Sequence, residues 1–247
     1  MESLWTSINV FVKWNQRDRL SLTCYTLVTM IPRLPIQMTF TTIYYILYVR
    51  TRQKTWQEIC LVLEHSPTTG RSESVILNRP ITKQINKPLA TLLLEGSSGK
   101  GKGNFDYTFG DQLVQAFGTQ AAVYMGGPHG QDEPALLLHG ISDLKGAREI
   151  APGTHIYQGG WEAAVKGVLE GVYRPLDFRF FLGRQSYDPA AHPDRGALQQ
   201  KVQDGAYQPV ACARSLALKQ CLGLPKPLWH EGMYCAVLYC ATAYIHL

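Results

Sequence analysis

Seven short apolar runs punctuate the chain: ICLVLE (Ile59–Glu64), SVILN (Ser74–Asn78), AAVYM (Ala121–Met125), ALLLH (Ala135–His139), THIYQ (Thr154–Gln158), FRFFL (Phe178–Leu182) and YQPVA (Tyr207–Ala211). Each is five or six residues long and rich in aliphatic or aromatic side chains. That is strand length, and far below the span of a bilayer. A chain built this way makes its core from several strands. Pro209 removes a backbone donor, which makes the last run an edge strand or a bulge. SPTTGRSE (Ser66–Glu73) is turn-rich and lies between two apolar runs, so it predicts a hairpin.

Helical patterns lie between the strands. In GWEAAVKGVLEG, Trp161, Ala164, Val165, Val168 and Leu169 share one helix face, and Gly171 ends it. In INKPLATLLLEG, Asn86 caps, Pro88 suits an early helical position, and Leu89, Leu92 and Leu93 follow on one face up to Gly96. Asp111 is read as the cap of a helix carrying Leu113, Val114 and Phe117, with Gly118 as its stop. Ser215 is read as the cap of another carrying Leu216, Leu218 and Leu222, stopped by Gly223 and Pro225. Strands and helices mix without a strict βαβ rhythm. This predicts an α+β fold with a mixed, largely antiparallel sheet.

Charge narrows the partners. The net charge of +5 is concentrated in residues 1–56, which hold seven basic and two acidic residues, while the remainder holds 17 of each. The body has no overall positive field, so no nucleic acid partner is expected. No apolar run reaches 18 residues, and no membrane partner is expected either. Leu34–Val49 is apolar but short and threonine-rich, and reads as strand rather than anchor. Residues 1–56 are basic and acid-poor like an organelle transit peptide, or are a divergent start. The apolar tail 234–247 forms a third segment after a main domain over 57–233.

EGSSGKGKGN (Glu95–Asn104) contains G-x-x-x-x-G-K but fails as a phosphate loop. Gly103 stands where the metal-holding Ser or Thr belongs, a helix enters where a strand should, and no helix is expected to leave before Asp111. It reads as a surface loop. Two other turns are better candidates for ligand binding. Asn78 and Arg79 close an apolar strand before Pro80, which holds Arg79 extended. Their alternative role is turn satisfaction by Asn78 and an ion pair by Arg79. Gly126, Gly127 and Pro128 follow another strand. Their bare backbone N–H groups suit an anion nest or, equally, a tight turn.

His129, Asp132 and Glu133 lack a further histidine or cysteine at helical spacing, so no metal is expected, and no cofactor. His65, His139, His155, His192 and His230 are scattered, and no nucleophile elbow or H-E-x-x-H occurs. The six cysteines include no C-x-x-C, and Cys60, Cys212 and Cys221 read as small core residues in a reducing compartment.

EICLVLEHSPTTGRSESVILNRPI, AAVYMGGP, HGISDLKGAREIAPGTHIYQGG, FRFFLGRQSYDP and GAYQPVA occur in an order that resembles the AlgH/YqgE-like family, over about residues 57–230. VILNRP (Val75–Pro80), the Gly126–Pro128 turn and Phe180–Gly183 carry the resemblance most specifically. ACARSLALKQCLGLPKPLWHE resembles an extension of members from photosynthetic algae. The resemblance implies an α+β fold with a bifurcated sheet surrounded by helices. It implies a plastid location, with the cytoplasm as the alternative, and no settled activity. Tyr187 stands where the family usually has Trp, AAHPDRG (Ala190–Gly196) is added, and the tail lacks the family's charges.

The resulting expectation is a non-enzymatic protein that binds an unidentified small molecule or protein, tested first at Asn78, Arg79 and Gly126–Pro128. The alternatives are an enzyme with a pocket at Arg79 and a histidine, and a transcriptional regulator, the latter suggested only by the family's name.

Overall fold

The computed structural model describes residues 8–13, 58–66, 68–97, 107–193, 196–204, 207–212, 214–220 and 222. The Gly/Lys loop at 98–106, the run Leu34–Val49, Cys221, His230 and the tail 234–247 lie outside them.

Among the described residues eleven strands form two sheets. The first has the order β10–β3–β2–β1–β11, from β1 (Ile8–Lys13), β2 (Glu58–His65), β3 (Ser72–Ile76), β10 (Gln185–Tyr187) and β11 (Tyr207–Cys212). The second runs β4–β5–β9–β6–β8–β7, from β4 (Pro80–Thr82), β5 (Val123–Met125), β6 (Leu136–His139), β7 (Ala147–Glu149), β8 (Tyr157–Gly159) and β9 (Phe178–Leu182). Among these pairs β5 and β9 run parallel, and the others antiparallel. The α+β class holds, with a mixed and largely antiparallel arrangement. β11 is an edge strand, as Pro209 requires. β2 and β3 form the hairpin across Ser66–Arg71, where Ser66 N donates to Arg71 O at 2.8 Å.

Alternation along the strands stacks the layers. Phe178, Phe180 and Leu182 of β9 face α1 (Lys87–Glu95), α2 (Tyr107–Phe117) and α3 (Trp161–Leu169). Phe117 meets Phe180 edge to face, with centroids 4.9 Å apart. Phe181, Tyr124 and Leu138 face the other way, onto Ile59, Leu61, Val75 and Leu77 of the first sheet. Cys60, Ile76, Tyr187 and Tyr207, on that sheet's far side, are covered by Leu198 of α4 (Leu198–Gln203). Each fully buried Leu or Phe contributes about 1.5–3 kcal/mol, so this alternation is the main source of stability. Cys60 is buried, and its thiol reaches the Gln185 carbonyl oxygen at 3.4 Å.

The helix α1 forms as its sequence dictates: Asn86 Oδ1 accepts from Leu89 N at 3.0 Å, and Gly96 ends it at φ 75°. Three local readings are corrected. α2 begins at Tyr107, not at Asp111. Phe109 is buried in the cluster that holds Leu93 and Leu94 of α1, so packing extends the helix through an aromatic, glycine-containing turn. Asp111 sits inside it and pairs with Lys87 at 3.0 Å. α5 (Arg214–Ala217) is a short helix with Ser215 within it rather than capping it. β8 starts only at Tyr157, because Ala151–His155 make a turn in which Thr154 N donates to Ala151 O and His155 takes φ 52°.

Candidate functional site

Two chain crossings join the sheets. Leu77–Arg79 carries the chain from β3 to β4, and Gly183–Arg184 from β9 to β10. β5 ends between them. Ile76 N donates to Gly126 O at 2.8 Å, Gly126 N to Leu182 O at 2.7 Å, and Met125 N to Arg79 O at 2.8 Å. His129 and Arg184 exchange backbone bonds of 2.9 and 2.8 Å. The three motifs singled out in the sequence thus meet at one junction.

Their geometry explains their residue types. A Cβ on Gly126 would strike the Gly183 carbonyl, and one on Gly127 the Arg184 backbone. Pro128 is exposed just beyond. Asn78 is buried and its Oδ1 accepts from Ile59 N at 3.0 Å, tying the crossing to β2. Arg79 donates to Glu58, which is buried. Glu58 also accepts from Gln185 Nε2 at 3.1 Å. The Gln185 carbonyl oxygen accepts from Tyr187 at 3.1 Å, Tyr207 at 3.3 Å and the Cys60 thiol at 3.4 Å. The two phenols lie 2.8 Å apart. Burial pushes both phenols above their usual range, Tyr207 the further. They stay protonated and act as hydrogen-bond donors. Tyr187 thus brings a hydroxyl that joins this network.

The other sequence candidates also have local partners. His129 Nδ1 accepts from Ser186 N at 3.1 Å, and Glu133 pairs with Arg184, so two of the three residues of the metal half-site serve the fold. Among the described residues no cluster of three metal-ligating side chains occurs. His139 is fully buried. Its Nε2–H donates to Gly159 O at 3.3 Å while Nδ1 accepts from Ile141 N at 3.2 Å. Desolvation lowers its pKa, so it is neutral. His65 and His155 sit apart, beside Ser72 and Glu149.

A cavity of about 660 Å³ opens elsewhere, where β9 begins. Its lining includes Arg179 of β9, Arg174 and Asp177 around a 3₁₀ turn (Pro175–Asp177), Leu176, Ile141, and Arg214, Leu218 and Gln220 at α5. Arg179 is 6% exposed, in a strand whose five residues are all buried. Arg174 pairs with Asp177 at 2.8 Å. Gly140 makes room for the α5 side chains: a Cβ there would lie 2.9 Å from Leu218 and 3.2 Å from the Arg214 guanidinium. Gln220 donates to Leu176 O, which leaves its buried carbonyl oxygen without a hydrogen bond. Sequence reasoning missed this site. The available signal was an arginine in the middle of the apolar run FRFFL, since a buried charge needs a purpose.

Two sheets sharing a junction, with helices packed outside them, define an α+β protein. Over residues 50–236 the chain matches the AlgH-like family model, and it belongs to that family, whose molecular activity is not established. Its fold is similar to that of the AlgH protein from Pseudomonas aeruginosa, with a TM-score of 0.51 at 14% identity over 98% of this chain and 97% of that one. A protein from Corynebacterium diphtheriae aligns over 73% of this chain and 78% of its own, with a TM-score of 0.44 and 13% identity. No curated protein matches the chain in sequence. No helix among the described residues is long and apolar enough to cross a membrane.

Proposed function

We propose that the protein is a non-enzymatic binding protein that holds a small organic molecule in the cavity between β9 and α5. The carrying observation is the cavity itself: about 660 Å³, with apolar walls at Ile141, Leu176 and Leu218 and convergent polar groups. Pockets of roughly 300–1,000 Å³ with this mixed lining suit small ligands. Binding is favoured over acid–base catalysis because His139, next to the cavity-lining Gly140, has both ring nitrogens engaged in backbone bonds. Arg79, the anchor of the alternative enzyme reading, pairs with Glu58 and is not among the cavity's described lining residues. The test is a thermal-shift screen of fragments against the full chain and against Leu218→Trp, which fills the cavity. Fragments that stabilise the wild type and not L218W support the reading. Hits that ignore L218W, or no hits, overturn it.

For location we propose the plastid, from the basic, acid-poor composition of residues 1–56. β1 lies between β2 and β11, so import with retention of Ile8–Lys13 keeps the sheet whole. A fluorescent fusion of residues 1–56 that stays cytosolic refutes this.

A further inference from the structure

We infer that the cavity between β9 and α5 takes a small monocarboxylate with an apolar body, held by Arg214; this rests on the binding reading above and specifies the chemistry of its ligand. The charges around the space decide the class. Arg174 is tied to Asp177, its guanidinium donating to Oδ1 at 2.8 Å and its backbone N–H to Oδ2 at 3.0 Å. Arg179, 6% exposed in β9, is engaged within the protein. Arg214 differs from both. It is exposed on α5, lines the cavity, and its guanidinium has no acidic partner among the described residues. One uncommitted positive charge calls for one negative charge. A carboxylate supplies it, whereas a phosphate monoester carries about −1.5 to −2 at neutral pH. That surplus would face Asp177, the acid among the described lining residues, and be repelled.

The guanidinium has a defined seat. A Cβ on Gly140 would lie 3.2 Å from Arg214 Nη2 and 2.9 Å from Leu218 Cδ1, so a glycine there lets both groups lie close to the backbone. The charged fork is thereby placed beside the apolar wall of Ile141, Leu176 and Leu218. A guanidinium donates two parallel hydrogen bonds to the two oxygens of a carboxylate. The ligand's carboxylate therefore sits on Arg214, and its apolar body lies along that wall. An ion pair at an exposed arginine is weak and salt-sensitive by itself. Burial of the apolar body supplies the rest of the affinity. The site thus prefers a molecule with both ends over one that has either alone.

The experiment is calorimetric titration of the full chain with phenylacetate, its neutral counterpart phenylacetamide, acetate and phenyl phosphate, at low and high salt. Phenylacetate should bind about five-fold tighter than phenylacetamide, an advantage that shrinks as salt rises. Acetate, which has no apolar body, should bind more weakly than phenylacetate, and phenyl phosphate no more tightly. Arg214→Ala should bring phenylacetate down to the level of phenylacetamide and leave phenylacetamide itself unchanged, a pattern that a damaged fold would not give. Arg214→Lys should keep part of the advantage, and Lys166→Ala, on α3, all of it. Equal binding of phenylacetate and phenylacetamide, both lost in L218W, overturns the carboxylate assignment and leaves the binding function standing. A preference for phenylacetate that survives Arg214→Ala overturns it too, as does tighter binding of phenyl phosphate. Absence of any probe binding, together with no L218W-sensitive fragment, overturns both readings.

Discussion

The sheet junction and the arginine-lined cavity are built from the same kinds of residue in different settings. At the junction, the polar groups turn inward on one another: Arg79 onto Glu58, Glu58 onto Gln185, Gln185 onto Tyr187, Tyr207 and Cys60, and Asn78 onto the Ile59 amide. In the cavity, three arginines face a space of about 660 Å³. Sequence motifs that look functional can therefore also serve the architecture of the chain crossings, while a cavity can be lined by residues that share no motif. A closed network maximises stability. The cavity, by contrast, keeps Arg214 exposed among its lining residues.

That contrast can be broken by substitution. Gly127→Val should have the largest effect, costing about 4 kcal/mol or preventing folding, because its side chain would overlap the Arg184 backbone. Chemical denaturation measures it, and a cost under about 1 kcal/mol would show that the crossings have slack. Glu58→Ala should cost about 2 kcal/mol by the same measurement, less than the 3–5 typical of a fully buried pair because Arg79 is partly exposed. Asn78→Ala should cost about 1.5 kcal/mol by stranding the Ile59 amide.

A pH effect is smaller and has a definite sign. His139 has a lowered pKa when folded, so the unfolded chain binds its proton first as pH falls below about 6.5. Its contribution is complete above that pH and declines as acid approaches the folded-state pKa. Urea unfolding at pH 7.5 and 5.5 should therefore show a steeper loss for the wild type than for His139→Gln. Equal losses would assign the acid sensitivity to other groups. Arg214→Ala, on the open side of the comparison, should change stability by less than about 0.5 kcal/mol. A large loss there would show that the cavity arginine is a structural group.

The legibility of the fold in the sequence follows the same division. β9, the β2–β3 hairpin and α1 with its Asn86 cap and Gly96 stop are local, and their residues announce them. β4, β7 and β10 have three residues each, too few for a period of two to register, and they exist through pairing with distant partners. α2 begins early because Phe109 finds the α1 cluster, which no local propensity reports. At the junction, the identities of Asn78, Arg79, Gly126 and Gly127 stood out because tight backbone approaches demand unusual residues. The cavity arginines did not, because Arg174, Arg179 and Arg214 come from a turn, a strand and a separate helix.

The two crossings also govern how this molecule comes apart. Leu77–Arg79 and Gly183–Arg184 each run without a linker from one sheet into the other, and Gly126 hydrogen-bonds to the strand end before each. The first sheet cannot lose β3 or β10 without dragging β4 or β9 of the second. Pairings such as Glu73 with Ser186 close more than a hundred residues of chain, a topology that slows folding. The protein should thus melt as one cooperative unit. The slowest-exchanging amides should straddle both sheets at Ile76, Gly126 and Phe180, rather than cluster within either one.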